Sequence, residues 1–144
     1  VHLSYEDSLI DKMPALLLSY GITSVRDTGG LLDKLLPIVE SMKKPDSVAP
    51  RVFYSGPLLD GRDVVYDGKS RPHIGVQNID AQSAQTRIQF LKSRGASFIK
   101  IYELVSPRVF EAMVGPARER GMPIDSHVPL SMRAGVAGAF VDSI

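Results

Sequence analysis

The feature that most constrains this chain is its alternation of short β-branched runs with longer stretches of helical spacing. Residues 6 to 20 carry Leu9, Ile10, Met13, Leu16, Leu17 and Tyr20 at helical intervals, with Gly21 as a stop. Ile22 to Arg26 then reads as a strand closed by Asp27-Thr28-Gly29-Gly30, and Leu31 to Met42 as a helix in which Pro37 predicts a kink or a break. Arg51 to Ser55 is the next strand, followed by a polar, glycine-rich segment from Gly56 to Asn78. Residues 80 to 94 form a helix with Asp80 as N-cap and Gly95 as its C-terminal glycine. Phe98 to Tyr102 is a strand, Pro107 to Arg120 a helix entered through Ser106-Pro107, and Pro123 to Val128 a strand after Gly121. A short helix near residues 131 to 137 leads to Phe140-Val141-Asp142-Ser143-Ile144, which reads as the opening of another strand.

Strand and helix units repeating at roughly 25 to 40 residues specify an α/β fold with a parallel sheet and crossover helices. The strands near residues 22 to 26, 51 to 55, 98 to 102 and 123 to 127 are expected to run parallel and adjacent in that order, because helical crossovers return the chain in the same direction. Polar residues choose between a closed and an open sheet. Arg26-Asp27, Ser55-Gly56, Lys100, Tyr102 and His127 all stand at the C-terminal ends of successive strands, where a barrel gathers its site. No glycine-rich phosphate fingerprint follows a strand, which argues against an open nucleotide-binding sheet. The reading is a TIM-type (β/α)8 barrel present in part. A full barrel takes about 250 residues, whereas residues 1–144 hold the end of a first strand, four complete strands and the start of a sixth.

Within that frame, Lys100 and His127 carry the chemistry. An ammonium inside the apolar run Phe98-Ile99-Lys100-Ile101 must be paired, shifted to neutral or chemically converted, and a histidine ending the next strand is its natural neighbour. The competing readings are a lysine that snorkels to an exposed edge and a hydrogen-bonded structural histidine. The chain has no cysteine, so histidine, aspartate, glutamate and lysine are the available site chemistry. With 23% charged residues and a net charge of +1, the basic residues gather on no stripe for nucleic acid or a membrane surface. No apolar span of about 20 residues is present.

The segments Tyr20-Gly21-Ile22-Thr23-Ser24-Val25-Arg26-Asp27, Arg51-Val52-Phe53-Tyr54-Ser55-Gly56-Pro57, Phe98-Ile99-Lys100-Ile101-Tyr102 and Asp125-Ser126-His127-Val128-Pro129 resemble the metal-dependent amidohydrolase superfamily, especially its imidazolonepropionase-like and prolidase-like branch. The resemblance implies that Val1-His2-Leu3 is the tail of a His-x-His metal motif whose first histidine is missing. It further implies that Lys100 is carboxylated by carbon dioxide to bridge two metal ions, zinc in the usual case, and that His127 is the strand-five ligand. The family's strand-six histidine and strand-eight aspartate, the general base, would lie past residue 144, as would the rest of the barrel and a flanking β-sandwich domain. The ligand set reduces to His2, Lys100 and His127. A carbamate offers two oxygens to cations about 3.5 to 4 Å apart, and imidazoles bind zinc at about 2.0 to 2.1 Å.

Tyr102 follows Lys100 by two residues and shares its side of the strand, so its hydroxyl either meets substrate or packs in the rim. Arg26 and Asp27 are expected in rim interactions and His73 on the surface. The segment from Gly56 to Asn78 is either a substrate-facing loop or a disordered insertion, in which Arg62, Lys69, Arg71 and His73 could receive a carboxylate. Two functions from different classes follow. One is a metal-dependent hydrolase of carbon–nitrogen bonds in small amides, cyclic amides or dipeptides. The other is a non-catalytic partial barrel that self-associates, as a homo-oligomer, through its open edges.

Overall fold

The computed structural model describes residues 1–144. Six strands, β1 (Ser24–Asp27), β2 (Arg51–Tyr54), β3 (Leu58–Asp60), β4 (Gly75–Gln77), β5 (Ile99–Ile101) and β6 (Ile124–Ser126), alternate with five helices. These are α1 (Met13–Ser19), α2 (Leu32–Met42), α3 (Ala81–Ser93), α4 (Pro107–Glu119) and α5 (Ala134–Ala137). Every strand pairing is parallel. No helix is long and apolar enough to cross a membrane.

β1 pairs with β2, and a second ladder runs β4-β3-β5-β6. The two ladders join where the Ser97 amide donates to the Tyr54 carbonyl at 2.8 Å. The expected neighbours are found at β1-β2 and at β5-β6; between them the expectation is corrected, since β3, which follows β2 beyond a turn at Gly56 (φ +79°), pairs with β5 in place of β2. At the outer edges, Val1 bridges to β1 through its amino group on the Arg26 carbonyl (2.9 Å) and the Thr28 amide on its own carbonyl (3.1 Å). Ser143 forms a parallel bridge to Asp125 of β6.

The sheet is curled. In a flat sheet β1 and β6 would stand about 14 Å apart, three strand spacings. Yet Arg26 of β1 reaches Asp125 of β6, Nη2 to Oδ2, at 3.4 Å, and its guanidinium lies 4.4 Å over the Phe98 ring. The pleat of β5 sends alternate side chains to the two faces of this curled sheet. Ile99 and Ile101 enter the core against Ile88 and Leu91 of α3 and Phe110, Met113 and Ala117 of α4, while Lys100 faces the concave side.

Local signals explain the helices. Asp80 and Ser83 form a capping box at α3, and Ser106 with Pro107 opens α4. Three expectations need correction. The helix read over residues 6 to 20 is a 3-10 turn (Asp7–Leu9) followed by α1, with Pro14 in the first turn of α1 because proline is tolerated there and not deeper. Pro37 does not break α2; it lies on the exposed face, where the missing N–H is least felt. The segment from Gly56 to Asn78 is also neither a plain loop nor disordered, since it contains β3 and β4.

Candidate functional site

The register of β5 on β6 sets Lys100 directly opposite Asp125. Nζ and Oδ2 are 3.3 Å apart, and Lys100 is only 7% exposed. Burial pushes the Lys100 amine below its ordinary range; Asp125 opposes that shift, and Arg26, sharing the same carboxylate oxygen, adds to it. Two residues further along each strand, Tyr102 and His127 face each other with ring centroids 4.5 Å apart.

His127 Nδ1 lies 3.1 Å from Glu103 Oε1. A carboxylate only accepts, so Nδ1 carries the proton and Nε2 is the nitrogen left free. The same logic applies to His2, whose Nδ1 donates to the Gly29 carbonyl at 3.1 Å. Its neighbour Leu3 donates its amide to Asp27 Oδ2 at 2.6 Å, and the Gly29 amide donates to Oδ1 at 3.1 Å. Asp27 is fully buried. Burial pushes its carboxyl up, and these two amides pull it down.

His2, Lys100 and His127 line one cavity of about 250 Å³ at the C-terminal ends of the strands, together with Thr28, Leu58, Tyr66 and Tyr102. Tyr66 packs edge-on against Tyr102 at 5.8 Å. Burial, with Glu103 and Tyr66 beside it, pushes the Tyr102 phenol up to about 12, which keeps it protonated as a donor. His73 is exposed and outside the cavity, and Arg26 faces the concave side below Lys100. Arg71 stacks over Tyr66 at 5.2 Å.

Three residues of this arrangement escape the sequence reading. Asp125 had a signal, because a buried lysine on one strand calls for a carboxylate on its neighbour. Glu103 had a weaker one, as a carboxylate at the end of the lysine strand, and Tyr66 had none. Nowhere do three or more histidine, cysteine, aspartate or glutamate side chains gather as a metal site.

Comparison with solved structures bears on what such a cavity belongs to. A bottromycin amidohydrolase superposes with a TM-score of 0.73 at 26% identity, over 89% of this chain and 27% of that one. The ochratoxinase of A. niger superposes at 0.75 and 15% identity, over 98% of this chain and 44% of that one. A putative prolidase from Bifidobacterium longum gives 0.61 at 21% identity, over 80% and 30%. The fold is shared with amidohydrolases. The chain spans 27% to 44% of the length of these three solved chains. No family model matches the chain, and no curated protein does.

Proposed function

We propose that residues 1–144 form part of the catalytic barrel of a metal-dependent hydrolase that cleaves carbon–nitrogen bonds in small amides or dipeptides. The observation that carries this reading is the meeting of His2, Lys100 and His127 on one cavity at the C-terminal ends of parallel strands. The amidohydrolases and prolidase among the solved structures of like fold support it.

The donor chemistry fits divalent ions once Lys100 is converted. Each imidazole has its Nδ1 engaged by an oxygen acceptor, the arrangement that orients Nε2 as a ligand. Lys100 as an ammonium is no ligand; its neutral amine adds to carbon dioxide, forming an N–C bond and releasing one proton to solvent, which leaves a two-oxygen anion. Burial favours the neutral amine that this step needs. Asp125 then keeps Arg26 as its cation. Bound zinc would supply Lewis acidity towards an amide carbonyl and bring the pKa of a coordinated water near neutrality. Tyr102 offers a protonated hydroxyl to a substrate oxygen, and Tyr66 walls the cavity against water.

The test is zinc binding in bicarbonate with a 13C-labelled carbamate signal, measured on the chain and on Lys100→Ala. Weak zinc binding and a carbamate resonance, both lost in Lys100→Ala, are expected. Zinc binding that survives the substitution would overturn the bridging role.

A second reading has its own observation. Phe53 on β2 is 45% exposed and Leu130 75% exposed, which favours self-association of this chain as a non-catalytic piece. Sedimentation showing a monomer at high concentration would remove it.

A further inference from the structure

Besides Asp27, a second fully buried aspartate has no ion-pair partner. Asp60, the last residue of β3, is fully buried, and no lysine, arginine or histidine pairs with it. Three backbone amides satisfy it instead. Oδ1 accepts from Leu104 at 2.7 Å and from Gly61 at 3.1 Å, and Oδ2 accepts from Val65 at 3.0 Å. Such bonds to an ionised acceptor are short and strong. Each amide belongs to a different stretch of backbone, and two of these stretches stand behind the cavity.

Leu104 follows Glu103, the residue whose carboxylate accepts from His127 Nδ1. Val65 precedes Tyr66, which lines the cavity and packs on Tyr102. The turn after β3 packs tightly on the Leu104 stretch, since a Cβ on Gly61 would stand 2.0 Å from the Leu104 carbonyl oxygen. Asp60 accepts from both the Leu104 and the Val65 amides, so a change at that side chain reaches both stretches.

We infer that Asp60 is a positioning residue that sets both walls of the cavity, holding Glu103 against His127 through the Leu104 amide and Tyr66 against Tyr102 through the Val65 amide. The inference rests on the reading of His127 as a site residue. Asparagine at position 60 keeps one acceptor oxygen and turns an N–H2 group towards a backbone donor, so at least one of the two ties fails.

The experiment uses the 144-residue chain with 15N-labelled histidine, and reads which ring nitrogen of His127 carries the proton at one fixed pH. The parent chain is expected to show the Nδ1–H form. In Asp60→Asn, amide exchange at Val65 or Leu104 should quicken by a factor of about ten or more, as befits loss of a bond to a charged acceptor. Where the Leu104 bond is the one lost, the His127 proton should move towards Nε2, as is also expected of Glu103→Gln, and the double variant should add nothing further. A folded Asp60→Asn chain in which Leu104 exchange quickens while His127 stays unmoved, or effects of the two substitutions that simply add, would overturn the inference; where Leu104 keeps its bond, the ester variant decides. Should Asp60→Asn fail to fold, an ester in place of the Glu103–Leu104 amide removes that single N–H and keeps the carboxylate; the same proton shift is expected, and its absence overturns the proposal. None of these readouts involves zinc, so failure of the metal-binding reading would be seen separately, in the parent chain.

Discussion

The unit β5-α4-β6 and the segment from Gly56 to Asn78 wall the same cavity but are held by different means. The first is built from local instructions: an apolar strand, a Ser106-Pro107 helix start, a stripe of Val109, Phe110, Met113 and Ala117, a closing Gly121, and a second strand. The second has no helix, contributes Leu58, Leu59 and Ile74 to the buried apolar side chains, and is tied in addition by long-range bonds to buried polar groups. Asp60 binds three amides, and Asn78 returns its amide and side-chain N–H2 to the Asp60 carbonyl. A hydrophobic stripe tolerates change in proportion to the area removed, whereas a polar crossing fails when one contact is obstructed.

The largest expected effect tests the apolar side of this contrast. Phe110→Ala, at a residue 1% exposed between α4 and the sheet, should lower stability by roughly 3 to 5 kcal/mol in urea denaturation. A loss below about 1 kcal/mol would mean that the unit is not held by its core.

Glycine-to-alanine changes should then differ in sign between the two regions. Gly61→Ala drives a methyl into the Leu104 carbonyl, and its backbone cannot yield without moving β3 or the turn after β5; a loss of about 3 kcal/mol is expected. Gly115→Ala in the middle of α4 meets open space and should gain about 0.5 to 1 kcal/mol. Equal effects in parallel melts would erase the distinction.

The smallest effect is a pH dependence at the seam between the regions. The Tyr102 phenol, raised from 10.0 to about 12 by burial beside Glu103 and Tyr66, binds its proton more tightly folded than unfolded. Its contribution to stability is fully present below pH 10 and is lost as pH rises through about 12. The difference in stability between the chain and Tyr102→Phe should shrink over that window, and a flat difference would show that Tyr66 does not enclose the hydroxyl.

Legibility followed the same division. The helix starts at Asp80 and Ser106, the glycine stops at Gly21, Gly95 and Gly121, and the strands at β1, β2, β5 and β6 could be read directly, because each depends on residues within a few positions. The region from Gly56 to Asn78 could not, because β3 and β4 lie among glycine, proline and charged residues with no helix between them to mark a repeat, and their placement rests on partners such as Leu104, 44 positions from Asp60. The break in the first helix was missed for a nearer reason: apolar spacing outweighed Pro14, which marks a helix start as readily as it forbids an interior.

By itself the sequence determined that parallel strands would carry Lys100, Tyr102 and His127 at their C-terminal ends, since crossover helices force one direction and inward positions on neighbouring strands converge. Tertiary structure alone decided who meets them. The pairing of Lys100 with Asp125 is a matter of register, and that register is selected where Ile99, Ile101 and Ile124 fill the space beneath α3 and α4. A slip of one residue would bury Asp125 among those side chains and turn His127 away from Tyr102, so packing over the whole unit, and no local motif, assigns the lysine its carboxylate. Glu103 behind His127 and Tyr66 beside Tyr102 follow for the same reason: each is placed by backbone contacts between segments far apart in the chain, which no short-range pattern encodes.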